Sequence, residues 1–317
     1  MQLKPLKSFA QHFARAPARE FELVQLGSGD LSLKDCWLYG NDSFVNLASS
    51  KARSSWTVLG DQDMMALMVP LSWTGDYCVN GWSSNPGDVY LLNGKHDYCN
   101  IGQDRRVLFI AFNRERLTDE IWSLSGASIA ELPNAHKKLN VGTNLANELT
   151  FMVSRAFEAA MPWDQAHRQF AMTPYGECAL FAELATWLIS LELFSTGKTI
   201  QDNAAFHCVR SAREAFSATP IEKLTISEMC KAAGVGRSQL HENFVEIFKE
   251  SPWQFILKRR LTSVREHLLS VEEPAASVKD SALAHGFISG GHFAKEYRKL
   301  FGELPSQTLK RAQTQVP

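Results

Sequence analysis

The chain has 317 residues, 45% of them hydrophobic and 21% charged, with a formal net charge of −1 at pH 7. That balance excludes a disordered or fibrous chain, and the length suits two domains that each bury a core. No apolar run approaches the roughly 18 residues of a membrane span, since the richest, Leu184 to Phe194, is interrupted by Glu192.

From the N-terminus, Met1 to Arg15 lacks the long apolar core of a secretory signal, so a cytoplasmic location is expected. Short runs rich in β-branched, aromatic and aliphatic residues follow at Phe21–Leu26, Lys34–Tyr39, Phe44–Ala48, Trp56–Leu59, Met64–Pro70, Tyr77–Trp82, Val89–Leu92 and Val107–Phe112. Turn-forming clusters such as Gly40-Asn41-Asp42, Pro86-Gly87-Asp88 and Asn93-Gly94 punctuate them, which predicts strands of an antiparallel barrel or sandwich. After Asn113 the periodicity turns helical, with segments predicted at Arg114–Leu124, Leu145–Met161 and Tyr175–Phe194. On the third, Leu180, Leu184, Leu188 and Leu191 form an apolar stripe that either packs inside its own domain or makes a dimer seam. Ser195 to Asn203 is polar and contains glycine, and it marks a linker. The expected organisation is an N-terminal domain over 1–195, a linker over 196–205 and a helical domain over 206–317.

Charge is distributed unevenly. Residues 206–317 carry 16 Lys and Arg against 12 Asp and Glu, whereas the first 205 carry 17 against 22. A basic C-terminal module on an acidic partner suits nucleic-acid binding, although the excess is small.

The C-terminal segment also repeats itself. Ala233-Gly234-Val235 followed by Leu240, Phe244, Phe248 and Pro252 corresponds to His285-Gly286-Phe287 followed by Phe293, Tyr297, Phe301 and Pro305. The last four positions of each set lie 53 residues apart and the glycines 52, so the second turn holds one extra residue. Each unit reads as a short helix, a glycine turn and a second helix with apolar residues at every fourth position, a helix-turn-helix. Between them, Trp253 to Val271 predicts a continuous helix about 28 Å long, against a spacing of about 34 Å between successive major grooves on one face of DNA. That rod can set two recognition helices into neighbouring grooves.

These residues resemble the AraC/XylS transcription regulators. The resemblance covers about 100 residues and rests on Arg260-Leu261, Arg265 and Leu268-Leu269, on Ser251-Pro252, and on His285-Gly286-Phe287 through His292-Phe293, Tyr297-Arg298-Lys299, Phe301-Gly302 and Pro305-Ser306. The N-terminal part is more weakly similar, nearest the branch that includes ethanolamine-operon regulators. The resemblance implies an α+β protein: an N-terminal cupin-like β-barrel sensor with a helical dimerisation segment, then an all-α double helix-turn-helix domain. It also implies an activator that binds operator DNA as a homodimer, contacts RNA polymerase and responds to a small molecule. Glu242 and Asn243 depart from the basic residues usual in the first recognition helix, and Lys249 replaces a turn glycine.

If Leu240, Phe244 and Phe248 face the core, Ser238, His241 and Glu242 project toward the groove and Arg237 toward phosphate. On the second recognition helix the same reasoning turns Gly290, Gly291, His292 and Lys295 to DNA. Ser289 is placed to cap that helix, with Arg298 and Lys299 on phosphate. In the N-terminal domain Trp56, Asp76, Tyr77, Asn80, Trp82 and His96 are the candidate ligand residues. Two readings stay open there, a small-molecule sensor and a domain that only dimerises or binds a protein.

An enzyme is not expected. Pro86-Gly87-Asp88 before a strand suggests a cupin, but His96 is the only histidine between His12 and His136, so a cupin metal cluster cannot be assembled. Cys36, Cys78, Cys99, Cys178, Cys208 and Cys230 stand singly, without zinc or redox spacing. No Gly-x-Ser-x-Gly, phosphate-binding loop, dinucleotide fingerprint or Pro-Cys-His alkyltransferase element occurs, and neither a cofactor nor a metal is expected. A metal-free cupin-like enzyme fused to a DNA-binding domain is the remaining alternative from another class.

Overall fold

A computed structural model describes residues 18–126, 134–156, 168–191, 198–199, 203–220, 224–270 and 277–314. The N-terminal part is a sheet covered on one face by helices. Its strands are β1 (Ala18–Gln25), β2 (Lys34–Tyr39), β3 (Ser43–Ser50), β4 (Ser54–Gly60), β5 (Met64–Val79), β6 (Trp82–Ser83), β7 (Asp88–Asn93), β8 (Asp97–Asn113), β9 (Lys137–Asn140), β10 (Arg168–Ala171) and β11 (Lys198–Thr199). The helices between them are α1 (Arg114–Ser125), α2 (Gly142–Ala156) and α3 (Pro174–Ser190).

The α+β class is as expected, but the sheet does not close into a cupin-like barrel. Its path runs β10-β2-β3-β8-β5-β7-β9-β11, and among the described residues no ladder joins the two ends. The curvature comes from β8, which is long enough to serve two neighbours on one side. Asp97 to Gly102 pair with β4, and Arg105 to Phe112 pair with β3. The strand bends between these stretches, where Asp104 has φ 43°. Opposite it, β5 absorbs the bend through register shifts between Pro70 and Cys78. The sequence reading split β5 and missed β9, β10 and the first half of β8, which are short or polar.

Alternation along the strands gives the sheet two apolar faces. One, with Val45, Leu47, Met65, Leu67, Leu108, Ile110 and Phe112, packs under α1, α2 and α3. The other gathers Trp37, Phe44, Met68, Tyr77, Tyr90 and Tyr98 on the inside of the curve. Glu177 in the first turn of α3 ties the helices down: it accepts from the Asn41 and Asp42 amides and from Ser43 Oγ at 3.2, 2.9 and 2.7 Å, and pairs with Arg116.

The leucine stripe belongs to this layer. Leu180, Leu184 and Leu188 are buried in the protomer's own core, and Leu191 packs partly buried against it. They are therefore not available as a dimer seam, because the sheet already covers the face that they present. Of the expected linker, Lys198–Thr199 pair with Lys137 and Lys138, and Ala204–Ala205 open a helix. Residues 196–197 and 200–202 lie outside the described residues.

The C-terminal part is helical: α4 (Ala204–Ala218), α5 (Ile226–Ala233), α6 (Arg237–Phe248), α7 (Pro252–Ser270), α8 (Val278–Ala284), α9 (Gly290–Phe301) and α10 (Pro305–Thr314). Thr225 and Glu228 form a capping box on α5, and Gly234 ends it with φ 65°. Phe244, Phe248 and Phe255 stack in one core, with Phe248 and Phe255 centroids 4.3 Å apart. Phe293, Tyr297 and Phe301 fill the other. The first core also takes in Val24, Leu26, Cys99 and Ile101 of the sheet, so the boundary between the two parts is a packed one.

Candidate nucleic-acid interface

The duplicated pattern becomes two helix-turn-helix units, α5–α6 and α8–α9, joined by α7. In α6 the buried residues are Leu240, Asn243, Phe244, Ile247 and Phe248; in α9 they are Phe293, Tyr297, Leu300 and Phe301. The remaining faces are open. All eleven residues assigned to DNA from sequence are exposed: Arg237, Ser238, His241, Glu242, Ser289, Gly290, Gly291, His292, Lys295, Arg298 and Lys299. Ser289 is the N-cap residue of α9 but makes no side-chain capping hydrogen bond, contrary to expectation. Its backbone is extended, with φ −97° and ψ 108°. Asn243, one of the two departures noted in the first recognition helix, turns inward and accepts from Gln239 Nε2 at 3.1 Å. Of the two departures, only Glu242 is exposed.

A second feature was not legible in the sequence. Strand β1, the loop after it and the turn before β4 together hold the C-terminal helices. Glu22 pairs with Arg213 of α4 and Arg259 of α7. Burial pushes its carboxyl up, yet the two guanidinium groups outweigh that and hold it below the usual carboxylate range. The Gln25 amide donates to Thr262 Oγ1 of α7 at 3.2 Å, and Lys258 Nζ donates to the Leu26 carbonyl. Arg53 Nη1 donates to the Phe248 carbonyl at 2.7 Å. The Gly29 amide and Gln25 Nε2 donate to the Leu300 carbonyl at 2.8 and 3.3 Å. Phe248 and Leu300 stand at the C-terminal ends of α6 and α9, where helix carbonyls lack intrahelical partners. The end of β1 and the loop after it thus meet the end of α9, and Arg53, in the turn before β4, meets the end of α6; the Leu26 and Gly27 amides donate to the Arg53 carbonyl at 2.8 Å and join the two loops.

The other face of β1 looks into the sheet. Phe21 and Ala18 line an apolar cavity of about 80 Å³ together with Trp37, Phe44, Trp56 and Phe109. The six ligand candidates do not converge on it. Trp56 lines it. Asp76 and Trp82 are exposed, and Tyr77 is buried beside Trp73. Asn80 is buried in a turn with φ 50° and accepts from the Cys99 amide at 2.8 Å. His96 instead borders a polar cleft of about 670 Å³ between β1, α4 and α7, with Arg210, Arg213 and Glu266. In that cleft burial, with the charge of Glu22 beside it, pushes Glu266 up to about 7. Among the described residues no group of three or more His, Cys, Asp or Glu is placed to hold a metal ion, and no helix is long and apolar enough to cross a membrane.

Two exposed recognition helices on a shared connecting helix, packed against a sheet with an apolar interior, form a double helix-turn-helix module. Residues 229–311 match the family model described as a helix-turn-helix domain. The C-terminal region is an AraC-type helix-turn-helix domain. Over 93 residues the chain is 31% identical to the XylDLEGF operon transcriptional activator of Pseudomonas putida, a stretch covering 29% of each chain. It is 23% identical over 206 residues to the probable thc operon regulatory protein of Rhodococcus erythropolis, covering 64% of this chain and 61% of that one. Among solved structures, a probable AraC family transcriptional regulator from Rhodopseudomonas palustris CGA009 shares 33% identity over 33% of this chain and 97% of its own, with a TM-score of 0.31. The alignment with the Pseudomonas activator spans under a third of that relative's length.

Proposed function

We propose that the protein is a transcription regulator, acting as an activator, that reads two neighbouring major-groove segments with α6 and α9. The observation that carries this is the pair of exposed recognition helices held by one connecting helix, in a domain of the AraC type. His241 and Glu242 read base edges in one groove and His292 and Lys295 in the next, while Arg237, Arg298 and Lys299 hold phosphate. RNA polymerase and a second copy of the chain are the protein partners. Since the α3 leucines are internal, the second copy packs on the outer face of the helical layer, where Trp122 and Tyr175 are exposed.

The sheet cavity is the proposed effector site, and β1 is the relay. A cavity of about 150 Å³ can take a benzene ring; at about 80 Å³ this one is filled only by displacing its walls. Phe21 is one of those walls, so an effector moves the strand whose opposite face holds Arg213, Arg259 and Thr262. The ligand differs in affinity for the two positions of β1, which is what a regulatory shift requires.

The test uses the full-length protein and operator duplexes selected from a random-sequence library. Binding should be saturable, sequence-selective and salt-sensitive, because phosphate contacts release counterions. No selectable duplex at low salt would overturn the DNA-reading assignment. A selectable duplex whose affinity no cavity ligand changes would favour the domain that only dimerises or binds a protein.

A further inference from the structure

The sheet interior contains a buried cation without an anion. Arg105 is 2% exposed. Its guanidinium lies 4.3 Å above the Trp56 ring and 6.0 Å from Tyr77, donates to Ser54 Oγ at 3.1 Å and reaches the Asn100 carbonyl at 3.5 Å. No carboxylate pairs with it among the described residues, and its Nε has no hydrogen-bond partner. The side-chain Oδ1 of Asn100 is also without a hydrogen-bond partner. Burial of an unpaired charge is among the most costly arrangements in a protein. Of the residues that touch Arg105, Trp56 and Asn100 also line the apolar cavity, so the guanidinium lies directly behind its wall.

We propose that the effector is a small monocarboxylate with an apolar body, its carboxylate paired with Arg105 and its body in the cavity lined by Trp37, Phe44 and Phe109. This deepens the reading of the cavity as the effector site and rests on it. The aromatic walls reject ligands rich in hydroxyls, which would leave polar groups without partners. The cation rejects amines. Burial lowers the Arg105 pKa to about 10, so it remains charged at neutral pH and available to a carboxylate.

Thermal melting of the full-length protein would be followed with hexanoate and phenylacetate, and with hexanol and 2-phenylethanol as uncharged matches. The carboxylates should raise the melting temperature by about 3 °C or more at saturation, and the alcohols by less than half as much. Arg105→Met should abolish that preference and raise the melting temperature of the ligand-free protein, because a structural arginine would lower it and an unpaired one should not. Arg105→Lys should keep a weakened carboxylate response if the Met variant does not fold. Equal shifts from acids and alcohols would overturn the carboxylate assignment and leave the cavity reading standing. No shift from any of the four would overturn both.

An independent observation concerns the second turn. Gly234, Val235 and Gly236 lead into α6, whereas Gly286, Phe287, Ile288 and Ser289 lead into α9. Val235 and Phe287 both pack inward, and Gly236 and Ser289 are the N-cap residues, so Ile288 is the inserted residue. It is 94% exposed, the most exposed large hydrophobic side chain of the described residues. Next to it Gly290 and Gly291 leave the helix start bare, with open space where a Cβ would lie. We infer that Ile288 makes the apolar base contact of this unit, against the C5 methyl of a thymine. On selected operators, replacing single thymines by deoxyuridine should weaken wild-type binding several-fold at one position and leave Ile288→Ser indifferent there. A full thymine scan without any such position, on duplexes that still bind, would overturn the assignment; duplexes that do not bind at all would overturn the DNA reading beneath it.

Discussion

Lys249 offers a quantitative test of the internal repeat. It ends α6 with φ 59° and ψ 28°, and 53 residues later Gly302 ends α9 with φ 75°. The left-handed conformation costs a non-glycine residue roughly 1–2 kcal/mol. Against this, Lys249 Nζ donates to the Glu246 carbonyl at 3.1 Å, an exposed bond worth about 0.5 kcal/mol. Glycine adds about 0.5 kcal/mol or more of chain entropy to be lost on folding. Lys249→Gly should therefore stabilise by about 0.5 kcal/mol, with about 1 kcal/mol as a ceiling. Lys249→Ala loses the same hydrogen bond and keeps the strain, so it should destabilise by about 0.5 kcal/mol. Urea titration of the intact protein measures both, and the difference of about 1 kcal/mol between the variants is the more robust quantity. Equal midpoints for Gly and Ala would refute the reasoning, because relief of the positive φ is the one difference that favours Gly over Ala and must exceed glycine's entropy cost.

Further expectations concern charge. Glu242→Ala should relax discrimination at one base pair by about 1–3 kcal/mol, whereas Arg298→Ala should weaken all sequences alike and lower the salt slope by about one; a panel of single-base operator variants separates the two, and the reverse pattern would contradict the division. Glu22→Gln removes the carboxylate that Arg213 and Arg259 share, leaving only the weaker charges of Asp97 and Glu266 near them, and should cost up to about 3 kcal/mol in urea titration; a loss near zero would mean that those charges and solvent screen the pair. Glu266, facing Glu22 and Arg259, has a folded-state pKa of about 7 against an ordinary 4.5. The folded state then binds the extra proton, so stability should fall as pH rises from about 4.5 to about 7 and stay level above it. Glu266→Gln should flatten that window and gain at most about 3 kcal/mol at pH 8; an unchanged profile would assign the slope elsewhere.

The recognition surface was legible because its constraints are local. Residues four apart on a helix share a face, so Leu240, Phe244 and Phe248 fix where Ser238 and His241 must point. The repeat supplied a second copy of the same constraint. The sheet was legible only as a class. Strand runs identify themselves one at a time, but closure depends on whether β10 and β11 find each other, and nothing in either tetrapeptide or dipeptide records that. The leucine stripe was ambiguous for a similar reason: a helix face wide enough for a partner looks the same whether the partner is a sheet or a second chain. Arg53 and Arg105 show the limit most clearly. Two arginines in strand-rich sequence read alike, yet one reaches a helix end 195 residues away and the other is buried over a tryptophan.

The relay through β1 can be bounded by what holds the strand to the recognition helices. Shifting it puts at stake the Gly29 and Gln25 bonds to Leu300 and the Gln25 bond to Thr262. Neutral bonds of this kind contribute about 0.5–1.5 kcal/mol each, so the three together can transmit up to about 4.5 kcal/mol. Regulatory couplings between sites are typically about 1–3 kcal/mol. The strand therefore has enough contact to bias the spacing of two recognition helices without either helix unfolding. Alternation makes the arrangement compact: Phe21 meets the apolar cavity and Glu22 the C-terminal helices, on consecutive residues of one strand. A displacement at the first is a displacement at the second, with no chain of intermediates across which it could be lost.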